Sequence, residues 1–194
     1  MRPHNLSLFS DLPEGFFYEP DFLTVAEEAE LLRIIATLQF KPFDFHGYVA
    51  KRRVVEYGWE YDFGTRQTTV AEPIPDFLLC FRDRAAAVIG ISPGSIIEAV
   101  ITEYPTGAPI GWHRDVPQFD RVIGISLGSS CRMRLKPYRG AGKIISVVLE
   151  PRSMYGMSGP ARWKYQHSIP PVEKLRYSIT LRTLRSKQNR ENAA

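Results

Sequence analysis

Two histidines and one aspartate are the residues of this chain best suited to bind a metal and do chemistry on it. His113 and Asp115 lie two apart in Gly111-Trp112-His113-Arg114-Asp115, and His167 follows farther along the chain. Two neutral imidazoles and one carboxylate that leave positions open form the facial set that suits non-haem Fe(II) in oxygen-activating enzymes. Residues i and i+2 of an extended segment point to the same face, so a strand-borne His-x-Asp aims both ligands at one point. The third ligand must then arrive from a distant strand. Zinc accepts the same three groups with a water and would make the site a hydrolase instead. His-x-Asp is also short enough to arise by chance, and a hydrogen-bonded loop histidine is the plainer reading of His113.

A second run near the C-terminus raises the signal. Leu175, Tyr177, Ile179 and Leu181 alternate there with Arg176, Ser178, Thr180 and Arg182, which is a strand with one apolar and one polar face. Such a polar face usually meets water. Turned inward, two arginines roughly 20 Å apart at their Cα atoms leave a gap on the scale of a small dicarboxylic acid. Guanidinium forks bind such an acid by paired, charge-assisted hydrogen bonds.

Together these residues resemble the AlkB family of Fe(II)- and 2-oxoglutarate-dependent dioxygenases. The family pattern is His-x-Asp, a second His, and an Arg-x-Asn-x-Thr-x-Arg strand, here His113 and Asp115, His167, and Arg176 to Arg182 with Ser178 in the Asn position. Tyr104-Pro105-Thr106-Gly107-Ala108, Ser126-Leu127-Gly128 and Gly159-Pro160-Ala161-Arg162 match the surrounding motifs. The resemblance covers about residues 95–183 closely and the N-terminal half loosely. It implies iron on His113, Asp115 and His167, and 2-oxoglutarate with its distal carboxylate on Arg176, helped by Ser178 and Tyr104. Arg182 would lie near the metal-proximal end. The implied reaction is oxidative decarboxylation of 2-oxoglutarate coupled to hydroxylation of a carbon–hydrogen bond; on an N-methyl group the product falls apart to formaldehyde. Departures fall at Thr102 and Glu103, where the bacterial repair enzyme has Asn and Arg, at Ser178, and at Pro117, where it has an acidic residue on the substrate side.

The elements that must position these groups can be read along the chain. Phe16, Phe17, Tyr18 and Phe22, broken by Pro13 and Pro20, predict irregular chain with a short strand. Thr24-Val25-Ala26-Glu27 is a capping box, and it predicts a helix of about four turns that buries Leu31, Leu32, Ile34, Ile35 and Leu38 and is barred from continuing by Pro42. A second helix is predicted from Pro75 to Val88, with Phe77, Leu78, Phe81, Ala85 and Val88 as its stripe and Gly90 past its end. Between them Val55, Tyr57, Trp59, Tyr61 and Phe63 share one face of a predicted strand, with Gly58 a bend. Aromatic stripes at period two are ordinarily core. The resemblance favours a nucleotide-recognition lid instead, in which Tyr57, Trp59 and Tyr61 stack on an unpaired base while Lys51, Arg52 and Arg53 hold phosphate. From residue 95 a succession of strands is predicted at about 96–104, 121–127, 131–136, 143–149, 152–157, 164–169 and 175–184. Regular short strands with Gly and Pro between them give a sandwich or barrel. The class expected is α+β, mainly β, and the resemblance makes it a double-stranded β-helix, or jelly roll, with two N-terminal supporting helices. Residues 1–184 would be one domain, with an extension and lid at about 1–94, a barrel core at about 95–184 and a disordered tail at 185–194.

Bulk properties bound the rest. The 194 residues, 44% of them hydrophobic, suffice for one domain with a sizeable core, and no apolar run approaches a membrane span. A soluble, monomeric, cytoplasmic protein is the expectation. Cys80 and Cys131 are too few for a disulfide framework and are read as small buried residues. A net charge of +4 favours an anionic partner. Arg132, Arg134, Lys136, Arg139 and Lys143 cluster in and between two strands, as a solvated surface or as a phosphate-binding rim. Single-stranded DNA or RNA is the expected partner and oxidative demethylation of an alkylated base the expected reaction. Hydroxylation of modified tRNA or of a protein side chain is the alternative.

Overall fold

The computed structural model describes residues 12–45, 48–62, 67–70 and 72–185. In chain order the elements are β1 (Phe16–Glu19), α1 (Val25–Ile35), β2 (Lys41–Phe45), β3 (Tyr48–Tyr57), β4 (Trp59–Asp62), β5 (Gln67–Val70) and α2 (Asp76–Ile89), then β6 (Ile96–Tyr104), β7 (Ile110–His113), β8 (Phe119–Leu127), β9 (Cys131–Pro137), β10 (Ile145–Leu149), β11 (Met154–Met157), α3 (Gly159–Trp163), β12 (Tyr165–Ile169) and β13 (Arg176–Leu184). Seven strands form one antiparallel sheet, in the order β1-β11-β8-β13-β6-β3-β2. Four form a second, in the order β10-β9-β12-β7, and β4 and β5 form a two-stranded third among the described residues. The mainly β jelly roll expected from the sequence is the fold, and its barrel strands lie where their alternation placed them. The sequence sets no bounds for β7, four residues long, and predicts no helix at α3, five residues long.

Alternation on the large sheet decides what reaches the site. On β13, Ile179 and Leu181 point to the helices and join Ala99 and Ile101 of β6, Ile123 and Ile125 of β8, Leu31 and Ile35 of α1, and Leu78 and Ala85 of α2 in one core. Arg176, Ser178, Thr180 and Arg182 point the other way, into a cavity between the two sheets. The polar face of this strand is therefore interior. A second core fills the rest of the space between the sheets, with Val122 and Met157 from the large one against Met133, Leu135, Val147 and Leu149 from the small one. Gly124 makes room inside that space, since a Cβ there would come within 2.2 Å of the Tyr155 ring.

The helices brace the sheet from outside. Thr24 and Glu27 form the predicted capping box, but α1 stops after eleven residues, short of Pro42. The Thr37 hydroxyl donates to the carbonyl of Ile34 just past its end. Pro42 sits instead in β2, an edge strand, where a sheet tolerates proline. α2 ends on Gly90 at φ +67°, the left-handed stop that glycine takes without strain. On it Ala86 is buried while Val88 and Cys80 are exposed, which corrects the stripe and the reading of Cys80 as buried. The predicted tail beyond Arg185, Phe63 and the ring of Tyr61 lie outside the described residues.

Glu27 also reaches across to α2, taking two hydrogen bonds from Arg84 at 2.8 and 3.1 Å. Those bonds, with the Thr24 N–H, hold its carboxyl at about 2, below the usual carboxylate range. A carboxyl depressed in the folded state stabilises it fully above the unfolded value and loses that contribution as pH falls toward the folded one. Glu27→Gln is therefore expected to lower Tm at pH 6 and to converge on the parent between about pH 4.5 and 2. Thermal melts at several pH values check this, and a gap of constant size across that window would mean the carboxylate charge plays no part.

Candidate active site

The small sheet delivers both histidines. β12 pairs antiparallel with β7 so that His167 lies opposite His113, and the two rings sit 4.2 Å apart. β7 ends at His113, so Asp115 is not on the strand as its spacing suggested. Two arginines position that short stretch in place of the ladder. Arg162 of α3 donates through Nη2 to the carbonyls of Asp115, Val116 and Phe119 at 3.1, 2.8 and 2.9 Å. Arg182 of β13 brings Nε and Nη2 to Asp115 Oδ1 at 3.1 and 2.8 Å.

This arrangement fits a metal ion. One ligand atom from each of His113, Asp115 and His167 falls within 4.8 Å of the others. Asp115 Oδ2 is buried without a hydrogen-bond partner among the described residues and lies 3.7 Å from His167 Nε2. A buried carboxylate oxygen left unsatisfied is costly unless a cation completes it. His113 Nδ1 lies 3.0 Å from the Gly111 carbonyl, which can only accept; the proton therefore sits on Nδ1 and leaves the Nε2 lone pair for the ion. Protonation states agree with ligation. Burial pushes His167 down to about 3, with the neighbouring His113 acting in the same direction. Burial pushes Asp115 up, but Arg182, His167 and Arg162 outweigh it and hold the carboxyl well below its usual range. Neutral imidazoles and an ionised carboxylate are what metal ligation needs.

Next to the triad, Arg176 is fully buried at 1% exposure, its guanidinium 4.9 Å from the Tyr104 ring centroid. Its Nε donates to Ser126 Oγ at 3.3 Å while Nη1 has no partner among the described residues. A buried guanidinium nitrogen left without a partner fits an anionic ligand, and Tyr104 and Ser178 line the same cavity of about 680 Å³. Arg182 is different. Its third nitrogen, Nη1, is 2.5 Å from Glu98 Oε2, so two carboxylates already neutralise it and it offers no second free fork to a dicarboxylic acid. Burial raises the Glu98 carboxyl against the pull of Arg182. Burial also disfavours the charge on Arg182, but Glu98 and Asp115 outweigh it and push its affinity for the proton up.

Residues expected to meet substrate are placed less uniformly. Tyr57 lies in the helix-side core, and Arg53 pairs with Glu103 at 2.8 Å on that same face. Gly58, at φ +82°, then ends β3 where its missing Cβ would meet the Ile97 carbonyl at 2.0 Å. Trp59 and the backbone of Tyr61 continue in β4, which pairs with β5 in a separate sheet. The opposite phase of β3 faces the cavity, with Arg52, Val54 and Glu56 in its wall and Arg52 4.0 Å above the ring of Phe43 from β2. Arg134 is on the outer face of the small sheet, its Nε donating to Ser168 Oγ at 3.1 Å. Sequence reasoning missed Ser126, Arg162 and Glu98 as supports of the site. Ser126 and Arg162 stood in quoted motifs; Glu98 carried no signal beyond being a charge in an apolar strand.

Comparisons with known proteins agree with this geometry. A family model described as the 2OG-Fe(II) oxygenase superfamily matches residues 16–190. Among curated proteins, an Arabidopsis thaliana protein named alkylated DNA repair protein ALKBH8 homolog is 29% identical over 198 residues, covering 88% of this chain and 56% of its own length. The tRNA (carboxymethyluridine(34)-5-O)-methyltransferase alkbh8 of Xenopus tropicalis is 27% identical over 173 residues, covering 84% of this chain and 26% of its own. The chain thus spans about half of one relative and a quarter of the other. The solved structure of OsALKBH1 superposes with a TM-score of 0.73 at 16% identity, over 89% of this chain and 98% of that one, a likeness of fold.

Proposed function

We propose, for a chain that belongs to the 2OG-Fe(II) oxygenase superfamily and is a 2-oxoglutarate-dependent dioxygenase with AlkB homologues among its relatives, that the bond it oxidises lies on a modified base of single-stranded nucleic acid, with tRNA the first candidate. One observation carries this reading, the surface at the cavity mouth. Lys136 Nζ lies 4.3 Å and the Arg134 guanidinium 5.0 Å from the ring centroid of Trp112. Arg114 lies 3.6 Å over Tyr138, whose ring is exposed. Trp112, Arg114 and Tyr138 also line the cavity. Rings for bases and cations for phosphates, side by side at an entrance, are what a single strand tracks.

Fe(II) and 2-oxoglutarate, when bound, supply the oxidising power, consuming dioxygen and leaving succinate and carbon dioxide. The chain contributes position. His113, Asp115 and His167 would hold the metal and Arg176 the distal carboxylate, while Phe119, Val122 and Met133 keep the inner wall apolar and exclude water. A target base reaches this depth only unpaired, so the strand must be single or the base flipped. Pro117 replaces the acidic residue that the resemblance places on the substrate side in the repair enzyme, which moves the reading from DNA repair toward tRNA. The Xenopus relative is named for an activity at uridine 34 of tRNA. This chain spans a quarter of that protein, so the substrate is taken from the name and the methyl transfer is not.

Methylated single-stranded DNA, methylated duplex DNA and total tRNA, offered side by side with Fe(II) and 2-oxoglutarate, test this by mass of the released nucleosides. A modified nucleoside in tRNA gaining an oxygen or losing a methyl group is the expected result; loss of 1-methyladenine or 3-methylcytosine from DNA alone would restore the repair reading. No change in any of the three, with substrate-free succinate release intact, would point to a protein or small-molecule substrate. Binding gives a second check. Lys136→Ala and Arg139→Ala are each expected to lower the salt slope of single-strand affinity by about 0.7, and Trp112→Ala to cost about 1–3 kcal/mol per stacked base.

A further inference from the structure

We infer that Glu98 is a positioning residue for the metal site, acting through Arg182 on the carboxylate of Asp115. The inference rests on the triad as a metal site and is independent of the substrate. The Nε–Nη2 edge of a guanidinium ordinarily meets a carboxylate as a fork, one nitrogen to each oxygen. Here both nitrogens fall on Asp115 Oδ1, at 3.1 and 2.8 Å, and Oδ2 receives no hydrogen bond from the described residues. The offset has a visible cause. Glu98 Oε2 holds the third nitrogen, Nη1, at 2.5 Å, and Glu98 is itself 1% exposed on β6. β6 and β13 are hydrogen-bonded neighbours in which Glu98 stands directly opposite Arg182, so the anchor has a fixed origin. Arg182 is thereby tied at both ends. It restrains Oδ1, leaves Oδ2 free for the ion, and cannot slide into the full fork that would cover both oxygens.

Released from Glu98, Arg182 can take one Asp115 oxygen on each nitrogen and compete with the metal for Oδ2. The removal of outer partners of metal ligands typically costs 10–100-fold in metal affinity. Mn(II) added to the metal-free protein is the probe, followed by calorimetry or by loss of the free-ion electron paramagnetic resonance signal. Glu98→Gln, close in shape but uncharged, is expected to raise the Mn(II) dissociation constant about tenfold or more. In an Arg182→Met background the same substitution is expected to change nothing, because no guanidinium remains to be held. A merely structural Glu98 would weaken binding in both backgrounds. The inference is overturned by unchanged Mn(II) affinity in Glu98→Gln, or by an equal loss with and without Arg182. If Glu98→Gln does not fold, Glu98→Asp, which keeps the charge and withdraws it by one methylene, replaces it in both backgrounds with the same two outcomes.

Discussion

Asp115→Ala is expected to abolish metal binding and substrate-free succinate release together, and Asp115→Asn to do the same. Asp115 brings the single negative charge of the triad, and its free oxygen, Oδ2, is buried with no hydrogen-bond partner and 3.7 Å from His167 Nε2. An amide of the same shape keeps the contour of the site but loses the charge that makes the oxygen a ligand. Asp115→Glu is expected to fail as well, since one extra methylene displaces the oxygen by more than a metal bond tolerates. His113→Ala and His167→Ala each remove one imidazole and are expected to eliminate turnover. His167 leaves the better-defined outcome of the two. It is buried and neutral, so its loss strands no charge, and the variant should keep its fold by circular dichroism while failing to bind Mn(II). Full succinate release by His167→Ala would take the triad out of the site.

What the sequence made legible follows from which signals are local. Alternation on β13 and β6 is a property of a few consecutive residues, and it located both strands. The capping box at Thr24 and the glycine stop at Gly90 are equally local, and α1 starts and α2 ends where those signals lie. Phase was harder. Alternation says that two faces differ and not which one meets the helices, so the aromatic face of β3 reads equally as a lid, although Tyr57 packs in the core. The cavity is lined instead by Arg52, Val54 and Glu56, residues whose mixed character gives no periodic signal.

Long-range pairing was harder still. Glu98 and Arg182 are 84 residues apart and meet only because β6 and β13 are neighbours in register. Asp115 shows the same limit from the other side. Its spacing from His113 placed it on a strand, whereas Arg162, far along the chain on an unpredicted short helix, pins three carbonyls and lets the backbone leave the ladder with the carboxylate still aimed inward.

Arg176 carries the other large expected effect. Arg176→Ala is expected to raise the 2-oxoglutarate requirement by about 3–5 kcal/mol, which is about two to four powers of ten in KM. The size follows from burial: at 1% exposure no water can replace the guanidinium, so the distal carboxylate would be left in a dry site without its charge partner. Ser126 Oγ, which accepts from Arg176 Nε at 3.3 Å, is too weak a donor to serve alone. Arg176→Lys should recover part of the loss, because it restores the charge but not the paired edge. Stability supplies a readout that activity does not. Without cosubstrate, Nη1 of Arg176 is buried and unpaired, so truncation removes an unsatisfied group and should leave the Tm of the metal-free protein little changed. The rise in Tm that 2-oxoglutarate gives the parent protein with Mn(II) should vanish in Arg176→Ala, since a ligand stabilises only as far as it binds the folded state. Equal thermal shifts and an unchanged 2-oxoglutarate requirement in both variants would mean that the inward face of β13 serves something other than the cosubstrate.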